Sequence, residues 1–337
     1  METSEIKMDF SNIPMVPGRK LALPKVYGDT PTFLGVPNLD SASPDPGLDA
    51  VIVGVPWEGT VTWGSYTGCE LAPRSIRHAS ARYGGFLPEY DINLFDHLRL
   101  VDAGDVAVNP NCSKETMKQV FEMMDLVYRQ GSIPVVLGGD HSFTPEVIRA
   151  LSNNRSGSVG VIHLDAHFDN AKGFGTDATP RCSPLHHIYQ LPEVRTQSVV
   201  HLGIRGPRNS PAQMEYAREM GASVFTIRDI RSRGIDAVVE EAIRIAHERT
   251  EQVYVTICSD CIDAAFNPGG PADFNGLFAH EIFSALYRIG EAGFEGLDFV
   301  EVYPNQDPHA FSSHLATWAI VHALAGLSAR KRGAGNV

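Results

Sequence analysis

The sequence lacks three features that would each indicate a different class of protein. It has no run of about 18 apolar residues, so we expect no membrane-spanning helix. Lys and Arg number 28 against 40 Asp and Glu, and the formal net charge is -12. This balance disfavours nucleic acid as a partner, because phosphate contacts need clustered basic residues. The five cysteines lack the even count and regular spacing of a disulfide framework.

The N-terminal segment also lacks the apolar stretch of a signal peptide, so we expect a cytoplasmic protein with reduced cysteines. Cys258 and Cys261 do form a C-x-x-C pattern. No second pair exists for a zinc site, and no helix start follows Cys258 as it would in a redox motif. The acidic balance is compatible with a small cationic substrate.

Apolar strands alternate with amphipathic helices along most of the chain. Strands are predicted near 49–56, 132–137, 158–164, 198–205, 222–227, 252–257 and 297–302. Helices are predicted near 73–81, 114–131, 210–220, 235–249, 279–293 and 312–330. This alternation predicts an α/β protein with a parallel sheet covered on both faces. We expect an N-terminal arm (residues 1–45), one domain (residues 46–332) and a short tail (residues 333–337).

Three segments that follow predicted strands are rich in side chains that bind metals. They are 138-GGDHS-142, 163-HLDAHFDN-170 and the stretch that holds Asp260 and Asp263. In a parallel sheet, ligands bind beyond the carboxyl ends of the strands, so these segments should meet at one edge.

The middle segment gives the strongest signal. Asp165, His167 and Asp169 occupy alternate positions, which on an extended chain share one face. Grouping them without a cation between them would be costly, and His141 and Asp260 could complete a shell. Mixed His and Asp ligands suit Mn, Ni, Zn or Fe, and a set of this size is usual for two ions.

Simpler interpretations exist for the same residues. The sole role of Asp140 and His141 could be to cap a helix that begins near Thr144. The D-x-H-x-D run alone could be a solvated loop. Their common position after apolar strands of one predicted sheet favours the metal interpretation.

These motifs, in this order, resemble the ureohydrolase family of arginase, agmatinase and guanidino-acid hydrolases. Further blocks that resemble the family are 51-VIVGVPWEGT-60, 68-GCELAPRSIRHAS-80, 99-RLVDAGDV-106, 202-LGIRG-206 and 301-EVYPNQD-307. The resemblance implies a three-layer α/β/α arginase-like fold with a mainly parallel eight-stranded sheet, assembled as trimers or hexamers. It also implies hydrolysis of a guanidino group to urea and an amine.

The resemblance further implies two divalent metals, Mn or Ni. The implied ligands are His141, Asp165 and Asp169 for the first ion and His167, Asp165 and Asp260 for the second. Asp165 would bridge the ions, and metal-activated water would attack the guanidinium carbon. Glu301 would pair with the substrate guanidinium through charge-assisted hydrogen bonds, unless it is an ordinary carboxylate at a strand end.

The chain departs from the family pattern at three places. Cys258 stands where the family has a second bridging aspartate. Cys182 or Asp177 occupies the place of the family's proton-shuttle histidine, and His186 and His187 come too late. The segment 269-GGPADFNG-276 also differs where the family shapes the substrate entrance.

The change at Cys258 puts the second ion in doubt. A thiolate offers one soft sulfur in place of two oxygens. It could ligate Ni or Zn but suits Mn poorly, and it reaches less far than a carboxylate. We therefore expect weaker occupancy of the second metal position than of the first.

Three hypotheses follow. The chain could be an active hydrolase, alone or as a subunit, that acts on guanidine, a guanidino acid or a biguanide such as metformin. It could be a non-catalytic subunit that stabilises a complete paralogue in a hetero-oligomer. It could also be a metal-free sensor or scaffold, which the retention of most ligand positions disfavours.

Overall fold

The structure, a computed structural model, describes residues 31–39, 47–59, 67–173 and 179–334. Its main strands are β1 (Ala50–Gly54), β4 (Leu100–Asp105), β5 (Ile133–Leu137), β6 (Val159–Leu164), β7 (Val194–Ile204), β8 (Ser223–Thr226), β9 (Gln252–Cys258) and β10 (Gly296–Val300). They form one eight-stranded sheet in the order β4-β1-β5-β10-β9-β6-β7-β8, and every pairing is parallel. Two short strands, β2 (Phe86–Leu87) and β3 (Ile92–Asn93), pair antiparallel outside it.

The helices of the described residues connect these strands. They are α1 (Ala72–Ser80), α2 (Leu94–His97), α3 (Ser113–Arg129), α4 (Thr144–Asn154), α5 (Pro184–Tyr189), α6 (Pro211–Glu219), α7 (Ile227–Arg233), α8 (Ile235–His247), α9 (Ala279–Ala292) and α10 (Phe311–Ala334). None of them is both long enough and apolar enough to cross a membrane.

Helices cover both faces of the sheet, as the near-continuous apolar strands require. Successive residues of β1 enter different cores: Ile52 packs with residues of α1, α8, α9 and α10, whereas Val53 packs with residues of α3, α4 and α5. The same alternation separates Val135 from Val136 in β5. The predicted three-layer α/β/α class and its eight-stranded parallel sheet are therefore confirmed.

The structure adds elements that the apolar pattern did not reveal. Edge strand β4 carries Asp102 and Asp105 among its six residues, so its hydrophobic signal is weak. Its Asp102 carboxylate accepts two hydrogen bonds from Arg77, at 2.8 and 2.9 Å, which compensates the buried charge. Helices α5 and α7 are only six and seven residues long, too short for a clear helical period.

The sheet order places four strand ends next to one another. β5, β10, β9 and β6 are neighbours near the middle of the sheet. The three metal-type segments follow β5, β6 and β9, and Glu301 follows β10. The predicted arm lies mostly outside the described residues, and of the predicted tail only residues 333 and 334 are described.

Candidate metal centre

The paired glycines of GGDHS allow two loops to approach closely. A Cβ at Gly139 would lie 1.9 Å from the carbonyl oxygen of Trp57, which accepts a hydrogen bond from the Asp140 N–H at 3.0 Å. The Asp140 carboxylate then accepts from the backbone N–H groups of Ser142 (3.0 Å) and Gly59 (2.6 Å). Asp140 therefore caps the short turn His141–Phe143, but, contrary to the simpler interpretation, neither Asp140 nor His141 caps the helix that begins at Thr144.

His141 is fully buried and faces two carboxylates. Its Nδ1 lies 3.1 Å from Asp169 Oδ2 and 3.4 Å from Asp165 Oδ2. Its Nε2 lies 2.8 Å from Thr256 Oγ1, and the Thr256 hydroxyl donates to Asp298 at 2.5 Å. Burial opposes a charge on His141, but Asp165 and Asp169 outweigh it and raise its pKa well above the ordinary value.

Asp165 stands between the three motifs. Its carboxylate contacts His163 Nε2 at 3.0 Å and His167 Nδ1 at 3.3 Å, in addition to His141. Burial alone would raise the pKa of Asp165, but its hydrogen bonds with the surrounding imidazoles lower it well below the usual range. An ionised carboxylate so enclosed is chemically suited to a position shared between cations.

Asp169 completes the ligand set of the first half, and its backbone conformation is strained. Its φ of 42° is in the left-handed region, which costs a non-glycine residue about 1–2 kcal/mol. Burial and the neighbouring Asp165 charge raise its pKa to about 7. Strain and like charge at one residue are typical of a position built to hold a ligand.

The second half contains Cys258, Asp260 and His167. Their neighbours include Asp273, from the altered segment at 269–276. His167 Nδ1 lies 3.0 Å from Asp260 Oδ2, and its Nε2 lies 3.4 Å from Asp273 Oδ2. Burial disfavours a charged His167, yet Asp260, Asp165 and Asp273 raise its pKa above the ordinary value.

The donor atoms fit a divalent ion in the first half better than in the second. Ligand atoms of His141, His163, Asp165 and Asp169 lie within 4.8 Å of one another, a nitrogen and oxygen set suited to Mn or Ni. Those of Asp165, Cys258 and Asp260 are equally close. Burial, with the charges of Asp165 and Asp260, raises the pKa of the Cys258 thiol well above its ordinary value. In the metal-free chain the second half therefore holds a thiol in place of a carboxylate, and even as a thiolate it would offer one soft sulfur instead of two oxygens.

Glu301 is engaged on both of its oxygens. Oε1 accepts the backbone N–H of His141 at 2.9 Å, and Oε2 accepts Arg181 Nη1 at 3.1 Å and the Tyr303 hydroxyl. Its φ of 64° is again in the left-handed region. Burial raises the pKa of Glu301, against the opposing effect of the Arg181 charge.

A cavity of about 310 Å³ joins these groups and gives access to them. It is lined by residues of both halves and by Arg181, Cys182, Arg208, Glu301 and Tyr303. Cys182 faces this cavity, and burial, followed by the Asp169 charge, raises its pKa to about 11. At neutral pH it is a thiol, which does not relay protons as an imidazole does. Asp177, the alternative occupant of that place, lies outside the described residues.

The structure thus brings together every predicted site residue that it describes, and it adds several that the motifs did not indicate. Among the additions are Arg181, Tyr303, Glu58, Asp273 and His163. His163 lies in β6, two residues before Asp165, which directly follows the strand, so alternation continued back along the chain could have found it. Arg181 and Asp273 come from loops, where sequence spacing carries little spatial information.

Arg205 holds the loops of the second half in place. Its guanidinium donates to the carbonyl oxygens of Asp260 (2.6 Å), Asp273 (3.1 Å) and Phe274 (2.9 Å). These contacts explain how a segment without regular secondary structure carries a carboxylate to the metal centre.

Comparisons with known proteins agree with this geometry. A sequence model described as the arginase family matches residues 48–326. Proclavaminate amidinohydrolase of Streptomyces clavuligerus is 29% identical over 295 residues, which cover 86% of this chain and 91% of that protein. Guanidinopropionase of Pseudomonas aeruginosa is 30% identical over 284 residues, which cover 83% and 86%.

Solved structures share the fold. The structure of the Streptomyces clavuligerus proclavaminate amidinohydrolase matches with a TM-score of 0.82 at 27% identity, and covers 90% of this chain and 99% of that one. The crystal structure of Trypanosoma cruzi formiminoglutamase with Mn²⁺ matches with a TM-score of 0.80 at 24% identity, and covers 90% and 100%.

Proposed function

This chain belongs to the arginase family, and from that premise we propose that it serves the hydrolysis of a guanidino or biguanide compound to urea and an amine. In this proposal it works as one subunit of a hetero-oligomeric amidinohydrolase, a trimer or hexamer in the cytoplasm. A paralogue with the complete ligand set would carry most of the reaction. The observation that carries the proposal is the buried Cys258 thiol at the position where two ions would share a carboxylate.

The first half of the centre supports binding of one divalent ion, Mn or Ni, by His141, Asp165 and Asp169. When bound, such an ion makes its water more acidic and adds positive charge near the reacting carbon. Asp165 would orient the three imidazoles around it, through contacts of 3.0 to 3.4 Å. Thr256 would fix the ring of His141 by its contact with Nε2.

The chemistry of the second half favours a non-catalytic or weakly catalytic subunit over a fully active enzyme. His167 and Asp260 remain, but Cys258 would offer a single soft sulfur where a carboxylate offers two oxygens, which suits Mn poorly. Cys182, with a pKa of about 11, would not take up protons as a shuttle at neutral pH. Two functions that the resemblance implies therefore lack a suitable side chain in this chain.

A second candidate function is a self-sufficient hydrolase with an altered metal preference. The retention of five His and Asp ligand residues favours it, and three of them, His167, Asp169 and Asp260, line a cavity of about 310 Å³. A softer ion such as Ni could lower the pKa of Cys258 and recruit it as a ligand. The substrate would be a small guanidinium or biguanide cation, which would have to enter a cavity lined by Arg181 and Arg208 as well as by Asp169, Asp260 and Glu301.

Metal content and urea release separate the two candidates. The chain is purified alone after growth with Mn or Ni, its metals are counted, and urea is assayed with guanidine, guanidino acids and biguanides. We expect about one ion per chain, because one half holds a full ligand set, and no urea.

Co-expression with a paralogue that has aspartate in place of Cys258 should yield a mixed oligomer that releases urea. The matched comparison is that paralogue expressed alone, which should be less stable or less active. Two ions per chain with urea release by the isolated chain would overturn the subunit proposal in favour of the self-sufficient hydrolase.

A further inference from the structure

The guanidinium of Arg181 lies in a cage of acidic and hydroxyl groups at the wall of the cavity. Its Nη1 donates to Glu301 Oε2 at 3.1 Å and to the Tyr303 hydroxyl at 2.8 Å. Its Nη2 donates to Glu58 Oε1 at 2.9 Å and lies 3.8 Å from Asp140 Oδ2. Three carboxylates around one planar cation are a recognition site for a guanidinium group.

The cage and its occupant come from different parts of the fold. Glu58, Asp140 and Glu301 lie just beyond the carboxyl ends of β1, β5 and β10, which are adjacent strands. Arg181 lies in the loop between β6 and α5. The sheet edge therefore builds the acidic cage, and a loop supplies the cation.

The fit of Arg181 in this cage is incomplete. Its side chain is buried, with 5% of the residue exposed, yet Nε has no hydrogen-bond partner within the part of the chain that the structure describes. Buried N–H groups without partners are rare, because each forfeits its interaction with water. The two terminal nitrogens of the guanidinium thus have hydrogen-bond partners in the cage, whereas Nε has none among the described residues.

We propose that Arg181 is an internal substitute for a guanidinium ligand and fills the subsite of which Glu301 is the central carboxylate. This inference rests on the proposed function, because it takes Glu301 as the group that would pair with a guanidino compound. A second guanidinium could not form a bidentate pair with Glu301, since Oε2 already accepts two hydrogen bonds, Oε1 accepts the His141 N–H, and the like charge of Arg181 would lie beside it. The chain in this state excludes guanidino compounds from the subsite.

Replacement of the internal cation by a free one tests the proposal directly. Arg181→Ala opens the cage, and guanidinium chloride at low millimolar concentration is the probe, with tetramethylammonium chloride as the control for charge and ionic strength. The metal-free chain is used, and binding is measured by calorimetry and by the shift in melting temperature. We expect Arg181→Ala to melt at a lower temperature, and to regain stability with guanidinium at a Kd of about 1 mM.

Three matched variants define the specificity of that response. Arg208→Ala removes another guanidinium from the same cavity. The Arg208 side chain is 41% exposed and pairs with Asp273, outside the cage. The Arg208→Ala variant should therefore bind no guanidinium. Arg181→Lys keeps the charge without the planar fork and should also show no saturable response. Arg181→Ala combined with Glu301→Gln removes the central carboxylate and should lose the response of the single variant.

A response of Arg181→Ala no greater than that of the unaltered chain would overturn the proposal. If Arg181→Ala does not fold by itself, its refolding is followed with and without guanidinium. Recovery with guanidinium but not with tetramethylammonium supports the cage, and recovery with neither overturns it. Because no metal, substrate turnover or partner chain is involved, this outcome is independent of the metal count and urea assay.

Discussion

The two halves of the metal centre share one sheet edge but differ in chemistry. His141, Asp165 and Asp169 form a complete set of nitrogen and oxygen ligands. The other half offers His167 and Asp260 but places a thiol beside them, and next to it Glu301 is paired with an internal arginine. Both halves are largely enclosed, and the most exposed side chain of each, Asp169 and His167, is 13% and 11% exposed, so the main difference lies in the donor atoms.

The fold therefore keeps the ligand residues in position whether or not the chain retains the full reaction. Asp260 is held by the Ala166 N–H at 3.1 Å, and Glu301 by the His141 N–H at 2.9 Å. These contacts depend on strand register, which the apolar core fixes. A substitution such as that at Cys258 therefore alters metal chemistry without altering the architecture that presents it.

Asp165→Asn should give the largest effect, because it removes the carboxylate common to both halves. Three imidazoles would lose the negative charge beside them and one of the two acceptor oxygens, and we expect destabilisation of about 3 kcal/mol in the metal-free chain. Metal affinity should fall by more than the ~10–100-fold typical for loss of a residue that only orients a ligand. Equilibrium denaturation and metal titration measure the two quantities.

The control for this change is Cys258→Ala, in the other half. Its thiol is not expected to hold the first ion, so affinity for that ion should change by less than about threefold. Equal losses of metal affinity in the two variants would remove the distinction between the halves.

Thr256→Val should give a moderate effect confined to the first half. The variant keeps the shape of the side chain but removes the hydroxyl that contacts His141 Nε2 at 2.8 Å and donates to Asp298. Without that contact the imidazole is less well oriented, so affinity for the first ion should fall about tenfold. The test is competition with a metal-binding dye, and an unchanged affinity would show that Thr256 does not orient His141.

The pH dependence of stability should give the smallest effect when it is counted per pH unit, and it should change sign with metal. In the metal-free protein the pKa of Asp169 is raised to about 7 from an ordinary value of 3.8, so the folded state binds this proton more tightly. The resulting stability is complete below the unfolded pKa and is lost as pH rises through about 7.

We therefore expect the free energy of unfolding to fall between about pH 4 and about pH 7 in the metal-free chain, by at most about 1.4 kcal/mol per pH unit for this proton. Saturating metal should reverse the trend, because protons and metal compete for Asp169. Urea denaturation at each pH, with and without metal, measures both trends. A flat profile without metal would contradict the shifted pKa.

The sequence was sufficient for the fold class, because apolar strands that alternate with amphipathic helices leave few arrangements other than a covered parallel sheet. It was insufficient for edge strand β4, where Asp102 and Asp105 interrupt the apolar pattern and are stabilised by Arg77, a residue far away in the chain. Such compensation by a distant partner leaves no local signal.

The candidate metal centre could likewise be predicted only in part from the sequence. Asp165, His167 and Asp169 could be grouped because they directly follow β6, and His141 and Asp260 because they follow neighbouring strands. The expected extended chain is not found, since β6 ends at Leu164 and Asp169 has a φ of 42°. The pairing of Arg181 with Glu301 joins two loops 120 residues apart and could be found only in three dimensions. Long-range charge pairs of this kind depend on loop paths that sequence patterns do not determine.

The count of metal ions per chain in Cys258→Asp tests the central claim most directly. The substitution returns a carboxylate to the position that faces both Asp165 and Asp260. We expect the unaltered chain to bind about one divalent ion and Cys258→Asp to bind about two. The ions are counted by elemental analysis after dialysis against Mn or Ni. An equal count in both proteins would contradict the claim that the thiol at Cys258 separates the two halves.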